Sequence, residues 1–457
     1  RFFRVYFYFE KIKRFGDVPW YSKPIGSADP ELKRPRDSRE YVMQRMIEDI
    51  DFAILYLPTK HDLYRITKWT ALALKSRFCL FEGTFRKYHG IDTEENDWKY
   101  YLDLAAKASE EFITNSGYGL YTTGGTQTAY RDLFVSEDAQ QLEVVLARDY
   151  NKGLSVFHNS TFYSLNTSYG RPGLTRKIVA SYLMTDGTRF TDKAGWQTME
   201  FRDECQNRDP RLAQSIRTPG YTRINSTKIE VPSLSTCMTG YQPIKFVAPA
   251  DFGSDGYNLS YTDLPIIRTA EIYLNYAEAK AELGEMDAAV WDQTIAPLRS
   301  RAGVTSVIPA KADPYMEAYF LNTVTDKWIL EVRRERGIEL CLEMGLRWDD
   351  DMRWGMGRLL ERPWYGVYVG ELGKVYDMDG DGSGDVCFVR ENPPVTEPGV
   401  TYRVLGGDYA LTDGDSGYIE CYIRMNRKWD DKKYVRPIPT TALNDNPALG
   451  QNPGWKK

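Results

Sequence analysis

Few residues in this chain have the types and spacing that catalysis requires. The three histidines, His61, His89 and His158, are isolated from one another, and none stands beside a nucleophile motif. The sequence also lacks a GxSxG nucleophile elbow, a Walker-type phosphate loop and an HExxH zinc helix. Acyl transfer, phosphoryl transfer and zinc-dependent hydrolysis are therefore not indicated.

One pair of carboxylates has the spacing of a catalytic pair. Glu339 and Glu343 lie one helical turn apart in the stretch GIELCLEMGLRW. A glycoside hydrolase needs two such groups on either side of the bond that it cleaves. The neighbouring sequence supplies enough positive charge to favour structural ion pairs instead, from Arg333, Arg334, Arg336 and Arg347.

The stretch DMDGDGSGDVCF places oxygen ligands at alternate positions. Positions one, three, five, seven and nine of a calcium loop are matched by Asp377, Asp379, Asp381, Ser383 and Asp385. Gly382 stands at the tight turn of such a loop. Phe388 stands where a bidentate glutamate should close the cage, and the flanking residues favour strands. A plain turn between two strands is the favoured interpretation, calcium is the alternative, and no other cofactor is expected.

The elements that must position these groups are mainly helical. The stretch RITKWTALALKSRFCLFEGTFRKYH has one face with small residues, including Ser76 and Gly83, and an adjoining face with Phe78, Phe81 and Phe85. A helix that is apolar on two faces must be covered on two sides. Its small residues allow close approach of a neighbouring helix, for which residues 98–115 are the candidate.

A second stretch matches the pattern of a tetratricopeptide helix pair. Such repeats place large and small residues at fixed offsets in two packed helices. The segment EIYLNYAEAKAELGEMDAAVWDQTIAPL has these offsets at Tyr273, Ala277, Gly284, Ala289 and Ala296. Several such matches along the chain predict a scaffold of helical repeats.

Long irregular segments separate the helical ones. Residues 116–170 and 217–262 are rich in Gly, Ser, Thr, Asn and Tyr, and residues 362–421 contain several predicted short strands. Segments of this length are usually functional or disordered. Their aromatic residues argue against disorder, since disordered segments are poor in aromatics.

Five motifs in this sequence resemble those of the SusD/RagB family of outer-membrane nutrient-binding lipoproteins. In chain order they are TKWTALALKSRFCLFEGTFRKYH (67–89), NRDPRL (207–212), RTAEIYLNYAEAKAELG (268–284), ERGIELCLEMGLRWDDDMRWG (335–355) and PIPTTALNDNPALGQNPGW (437–455). Because they run in the family's order to the end of the chain, the resemblance covers the whole sequence.

The resemblance implies a mainly α fold: a superhelix of tetratricopeptide-like pairs and an irregular, loop-rich half with a few short strands. Residues 1–457 would form one SusD-like unit without the family's amino-terminal segment. The scaffold is expected mainly in 1–115, 172–216 and 263–360, and the ligand-facing loops mainly in 116–170, 217–262 and 362–421.

The resemblance also implies a function without catalysis. The protein would be a surface-exposed lipoprotein of the outer membrane, tethered by a lipidated cysteine that precedes Arg1, in the manner of Bacteroidetes polysaccharide utilisation. It would bind a glycan and deliver it to a SusC-like TonB-dependent transporter. The alternatives are peptide uptake as in RagB-like relatives, glycoside hydrolysis, and a scaffold that binds no ligand.

Sugar binding calls for aromatic rings with amide or charged groups beside them. The family places such rings on variable surface loops, so no residue carries over by position. Loop position alone predicts a ligand site with aromatic residues and two amides: Tyr163, Asn166, Tyr169, Trp196, Tyr257, Asn258 and Tyr261. Each ring could instead pack under its own loop.

Composition agrees with a folded protein that binds neither nucleic acid nor the bilayer interior. The 457 residues are 42% hydrophobic and 14% aromatic, with a net charge of −5 and no basic stripe. No apolar run approaches the roughly 20 residues that span a bilayer. The Pro-Ile-Pro and Asn-Pro-Gly turns predict that residues 437–457 are pinned in one conformation across the helices.

Overall fold

The computed structural model describes residues 1–91, 93 and 96–455, which are mainly helical. None of the helices in this described part is both long enough and apolar enough to cross a membrane. The α-helices are, in chain order, α1 (Phe2–Phe15), α2 (Arg39–Tyr56), α3 (Lys68–His89), α4 (Trp98–Asn115), α5 (Gly125–Val135), α6 (Ser160–Leu165), α7 (Arg176–Ser181), α8 (Phe201–Glu204), α9 (Pro210–Ser215), α10 (Thr269–Leu283), α11 (Ala288–Ala302), α12 (Pro314–Tyr319), α13 (Lys327–Glu339), α14 (Leu346–Arg353) and α15 (Thr440–Asp445).

The strands are short and form three small sheets. They are β1 (Val144–Arg148), β2 (Leu264–Arg268), β3 (Trp364–Val369), β4 (Val375–Tyr376), β5 (Val386–Val389), β6 (Thr401–Val404), β7 (Tyr409–Leu411) and β8 (Gly417–Cys421). Strands β1 and β2 pair antiparallel, and β3, β8 and β7 form an antiparallel sheet in that order. In the third sheet β5 pairs antiparallel with β4 and parallel with β6. The short strands predicted in 362–421 are confirmed.

The chain divides into two compact units. The first comprises Arg1–Gly117, Gly345–Glu361 and Arg427–Lys457, and the second comprises Tyr118–Met344 and Arg362–Asn426. Each unit is therefore built from segments that are far apart in the sequence, so its core depends on long-range contacts.

Helix α3 lies at the centre of the first unit and packs against α2, α4 and α14. Both of its predicted apolar faces are buried. A Cβ on Gly83 would lie 2.8 Å from the side chain of Leu102 on α4, and Ser76 and Ser109 share a hydrogen bond of 2.7 Å across the same contact. The small residues of α3 therefore do allow α4 to approach closely, as the sequence predicts.

Side-chain amides hold the closing segment against the start of the same unit. The Nδ2 of Asn452 donates to the carbonyl oxygen of Phe15 at 3.0 Å, and Arg36 donates to its Oδ1 at 2.6 Å. The Nδ2 of Asn446 donates to the carbonyl oxygen of Arg34 at 2.9 Å. Trp455 donates its indole N–H to the carbonyl oxygen of Val435 at 2.9 Å. The prediction of an ordered closing segment is confirmed for residues 437–455, while 456 and 457 lie outside the described residues.

In the second unit, α10 and α11 form the helix pair that the repeat pattern predicts. Gly284 ends α10 with a φ of 76°, the left-handed conformation that glycine adopts most easily. The side chain of Asp287 then caps α11 by accepting a hydrogen bond from the backbone N–H of Val290 at 2.9 Å. Helices α10 and α11 pack on each other, and both pack on α13.

The segment 116–170 is more regular than its composition predicts. It contains α5, whose residues Ala129, Tyr130, Leu133 and Phe134 are buried, the strand β1 and the short helix α6. These three elements lie in a segment that the sequence predicts to be mainly loop-rich. The many small polar residues around them hid an apolar stripe of only three helical turns.

Candidate ligand-binding site

Three of the predicted tyrosines meet around one buried phenylalanine. The ring centroid of Phe162 lies 5.0 Å from that of Tyr169 and 5.5 Å from that of Tyr257, and the centroids of Tyr163 and Tyr169 are 6.0 Å apart. Phe162 is 9% exposed, whereas Tyr163, Tyr169 and Tyr257 are 45%, 49% and 59% exposed. We call these four residues the tyrosine cluster. It is an exposed aromatic surface on a buried apolar support.

Helix α6 carries two members of the tyrosine cluster and is tied to the segment 246–248. The hydroxyl of Thr161 donates to the carbonyl oxygen of Phe246 at 3.2 Å and accepts from the backbone N–H of Ala248 at 3.1 Å. Thr161 is fully buried. These hydrogen bonds fix a helix of only six residues, too short to be stable by itself.

The loop that carries Tyr257 is fixed by two asparagines. Asn159 donates from Nδ2 to Oδ1 of Asn258 at 2.7 Å, and the backbone N–H of Asn258 donates to Oδ1 of Asn159 at 2.6 Å. Asn258 has a φ of 56°, in the left-handed region that asparagine tolerates better than most residues. His158 and Ser260 pair through two backbone hydrogen bonds beside them. Tyr257 is therefore held next to α6.

The two predicted amides keep donors available. Asn166 accepts the backbone N–H of Ser168 on its Oδ1 at 2.7 Å, and Asn258 accepts from Asn159 on its Oδ1. Neither Nδ2 group makes a hydrogen bond within the described chain. A hydroxyl-rich ligand offers acceptors for such N–H groups.

The other two predicted aromatics are elsewhere in this unit. Tyr261 is only 6% exposed, and its ring stacks on Phe252 at 5.1 Å with an interplanar angle of 9°. Trp196 is half-buried, with ring centroids 6.0 Å from Phe190 and 5.5 Å from Tyr315. Both rings pack against other rings, so the structure does not bring them into the tyrosine cluster.

Glu339 and Glu343 lie in a buried ion network rather than at a cleft. Arg268 bonds both, with Nη1 2.7 Å from Oε1 of Glu339 and Nη2 2.7 Å from Oε1 of Glu343. Arg211 bonds Glu339 at 2.8 Å and Glu335 at 2.6 Å. We define the buried ion network by its six members, Arg211, Arg268, Arg301, Glu335, Glu339 and Glu343.

The expectation of structural ion pairs is thus confirmed, but the partners that it named were wrong. Arg333 pairs with Glu282, Arg334 with Asp313, and Arg336 with Glu278. Arg347 pairs with Asp351. The arginines near in sequence have other partners, because a helix turns successive side chains by about 100° and directs them to different neighbours.

The network keeps its carboxylates ionised. Burial opposes the charged form of Glu339, but the guanidinium groups of Arg301, Arg268 and Arg211 outweigh it and hold the pKa of Glu339 well below its usual range. Burial likewise opposes ionisation of Glu343, whose pKa is lowered by Arg268 and Lys245. A general acid needs a raised pKa near the working pH. These two carboxyls have the opposite shift.

The predicted calcium loop is a turn between β4 and β5. Ligand atoms of Asp377, Asp379 and Asp385 lie within 4.8 Å of one another. Their carboxylates already accept hydrogen bonds: Asp377 from the backbone N–H of Gly380 at 2.6 Å, and Asp385 from that of Met378 at 2.6 Å.

The remaining loop positions fit calcium less well. Asp381 accepts the N–H of Ser383 at 2.6 Å, and Arg202 bonds Asp377 at 2.9 Å. Phe388, at the position of the closing glutamate, is 1% exposed in the apolar core, so the loop offers no bidentate ligand there. Calcium stays a prediction, and the turn needs no ion to explain its conformation.

The sequence prediction omitted two residues that organise this site. Phe162 joins the three tyrosine rings, and Asn159 positions Asn258. Both lie in the stretch HNSTFYSLN around Tyr163, where an aromatic and an amide flank a predicted residue. That pattern indicates a candidate ligand-binding stretch in the sequence. The hydrogen bond between Asn159 and Asn258 depends on tertiary structure and has no signal in the sequence.

The architecture is a mainly α scaffold that carries aromatic residues on its loops, and the comparisons identify the family. The family model described as "SusD family" matches residues 142–455. The match covers more than half of the chain, so the chain belongs to the SusD family. A comparison with curated proteins found no match.

Solved structures with the same fold are numerous. A SusD-like protein from Bacteroides fragilis NCTC 9343 has 22% identity and a TM-score of 0.67, over 99% of this chain and 78% of that one. A SusD-like carbohydrate binding protein from the same organism has 20% identity and a TM-score of 0.65, over 98% and 78%. A laminarin binding SusD-like protein has 18% identity and a TM-score of 0.54, over 99% and 77%. These likenesses confirm the predicted fold class, a mainly α, tetratricopeptide-like architecture.

Proposed function

We propose that this protein binds a glycan at the tyrosine cluster without chemically changing it. The observation that carries the proposal is the exposure of Tyr163, Tyr169 and Tyr257 around the buried ring of Phe162. A contiguous exposed aromatic patch often marks a binding surface, and the C–H faces of a pyranose suit an aromatic surface. The Nδ2 groups of Asn166 and Asn258 add donors for hydroxyl oxygens.

Family membership supports a carbohydrate as the ligand. Relatives with the same fold are described as carbohydrate binding and as laminarin binding. The position of the aromatics on loops agrees, because loops change ligand preference without disturbing the helices beneath them. Individual ring contacts are weak, so we expect modest affinity and fast release.

The absence of catalysis is part of the proposal. The carboxylate pair with the most suggestive spacing, Glu339 and Glu343, is buried and fully engaged with arginines and a lysine. A glycoside hydrolase needs one carboxyl that stays protonated and a path for the sugar to reach it. Any turnover of a glycan by purified protein would refute this part.

Delivery to a transporter completes the proposed function. Membership of the SusD family supports a place at the outer membrane, with a lipid anchor at the amino terminus and a SusC-like TonB-dependent transporter as the partner. Co-purification of the full-length protein with a transporter from membranes of the native cell tests the partner. Protease accessibility on intact cells tests surface exposure.

Tyrosine variants test the ligand site directly. We expect Tyr163→Ala and Tyr257→Ala each to weaken binding of a responsive glycan about fivefold, because each removes one exposed ring worth about 1 kcal/mol. Isothermal titration and affinity electrophoresis with laminarin, xyloglucan and starch oligosaccharides give the measurement.

The matched control is Tyr41→Ala. Tyr41 is 44% exposed, nearly as much as Tyr163, but lies on α2 in the other unit. It should leave glycan binding unchanged. Equal loss in all three variants, or binding of peptides but of no glycan, would contradict the proposal.

A further inference from the structure

A cleft in the second unit lies apart from the residues of the tyrosine cluster. It has a volume of about 440 Å³, within the range of small-ligand sites, and lies between α5, α9 and the loop 218–226. Its walls are polar and include Gln127, Arg131, Asp132 and Asn225. The proposed glycan site does not use any of these residues.

Arg131 is the unusual residue in the cleft. It is 6% exposed, and its Nη2 donates to the carbonyl oxygen of Val247 at 3.0 Å and to the hydroxyl of Tyr221 at 3.3 Å. Its Nε is buried without a partner. Its Nη1 makes no hydrogen bond, and no carboxylate oxygen of the described residues lies within 4 Å of the guanidinium.

Most other arginines of this unit that are equally buried pair with a carboxylate, although several of them also have an unpartnered Nε. Arg211, Arg268 and Arg299 each pair with carboxylates. Arg208 has no such pair, but its guanidinium donates to three main-chain carbonyl oxygens, at 2.6 to 2.9 Å. A buried cation without a counter-ion destabilises the folded protein unless a bound anion or hydrogen-bond acceptor compensates its charge. Arg131 lacks a carboxylate partner among the described residues and also lines the cleft, so an anion bound in the cleft could neutralise it.

The cleft also contains a carboxylate, which restricts the class of ligand that can bind there. Asp132 follows Arg131 on α5 and lines the same cleft. The carboxylate of Asp132 repels any anion, and an anion without hydroxyl groups, such as sulfate, has no donor that offsets this repulsion. A sugar acid offers both a carboxylate for the guanidinium and hydroxyl donors for Asp132, and both hydrogen bonds are then charge-assisted.

We propose that this cleft is a second binding site, for an acidic monosaccharide or uronate residue of a glycan, with Arg131 as the group that binds its carboxylate. The segment 246–248 contacts both sites: Val247 accepts from Arg131, and Phe246 and Ala248 bond Thr161 on α6. The cleft and the tyrosine cluster are therefore supported by one stretch of backbone. The proposal does not depend on glycan binding at the tyrosine cluster.

Paired monosaccharide probes test this site. Methyl β-D-glucuronide and methyl α-D-galacturonide are titrated at low and high salt, with methyl β-D-glucoside and methyl α-D-galactoside as neutral controls. We expect at least one uronide to bind at least about tenfold more tightly than its neutral counterpart, and salt to weaken it. Equal affinity for the charged and neutral sugars, or no binding of either uronide, overturns the proposal.

Two variants locate the binding. Arg131→Gln removes the charge, and Gln127→Trp fills the cleft from an exposed position that should not disturb folding. Both should abolish uronide binding, and Gln127→Trp decides the outcome if Arg131→Gln fails to fold. Tyr163→Ala should leave uronide binding unchanged, so failure here is distinguishable from failure at the tyrosine cluster. Uronide binding that survives Gln127→Trp would refute the site.

Discussion

The buried ion network and the tyrosine cluster belong to the same unit but use their side chains in opposite ways. Glu339 is fully enclosed and bonded to Arg211, Arg268 and Arg301, whereas Tyr257 is 59% exposed and packs its ring against that of Phe162. The buried ion network is shielded from solvent, and substitutions there should lower the free energy of unfolding strongly. The tyrosine cluster faces solvent, and substitutions there should change the free energy of unfolding little. Stability and the proposed recognition of a ligand thus depend on different residues.

Breaking the network should have the largest effect. Glu339→Ala leaves the guanidinium groups of Arg211, Arg268 and Arg301 without their shared carboxylate, which should lower the free energy of unfolding by about 3–5 kcal/mol. Urea unfolding followed by circular dichroism measures it. Asp415→Ala is the control, because its ion pair with Arg390 is 63–74% exposed and should contribute no more than about 1 kcal/mol. A similar loss of unfolding free energy in both variants would contradict the stronger stabilisation that we expect from the buried ion network.

Acid should act on the network and not on the tyrosine cluster. The pKa values of Glu335, Glu339 and Glu343 are lowered in the folded protein, since arginine and lysine partners outweigh burial. Their stabilisation is complete above the unfolded carboxyl pKa of about 4.3 and is lost as the pH falls toward the lower folded values. The melting temperature should therefore drop steeply below about pH 4.3. A melting temperature that is flat from pH 6 to pH 3 would contradict the buried pairing.

The closing segment of the first unit should show an intermediate effect. Asn452 is 3% exposed and exchanges hydrogen bonds with Phe15, Arg36 and Arg436, so Asn452→Ala should cost about 1–3 kcal/mol of stability. Deletion of 437–457 should cost more. Differential scanning calorimetry gives the measurement, with Asn444→Ala as an exposed control in the same segment. An unchanged melting curve on deletion would show that the segment does not stabilise the helices.

The tyrosine cluster should show the smallest effect on stability. Tyr257→Ala removes a ring that is mostly in water, so the free energy of unfolding should change by less than about 1 kcal/mol. Phe162→Ala is the comparison, because its ring is buried and its loss should cost about 3 kcal/mol. Urea unfolding of both variants makes the test. If Tyr257→Ala destabilises as much as Phe162→Ala, the cluster is part of the core rather than a binding surface.

Helical pairing was predictable because its signal is local. The spacing of Ser76, Phe78 and Gly83 within one helix predicts two covered faces, and both are covered. The turn that joins α10 and α11 likewise follows from Gly284 and Asp287, which are adjacent to the helix ends that they shape. Local backbone preferences and periodicity are properties that a sequence carries by itself.

The candidate site was predictable only in part. Tyr163 and Tyr169 are close in sequence and were predicted together, but Tyr257 joins them through its contact with Phe162, 95 residues away in the sequence. Nothing in the spacing separated Tyr257, which is exposed, from Tyr261, which is buried against Phe252. The difference depends on which face each loop turns toward the core.

The sequence by itself determined the helices and their pairing, the family and the chemical kind of surface, since each follows from neighbouring residues and motif order. Only the tertiary structure decided which arginines neutralise Glu339, which tyrosines share a buried support, and that Arg131 has no carboxylate of its own among the described residues. Charges and rings interact through space over a few ångströms. Their partners are therefore set by how distant segments pack and not by their separation along the chain.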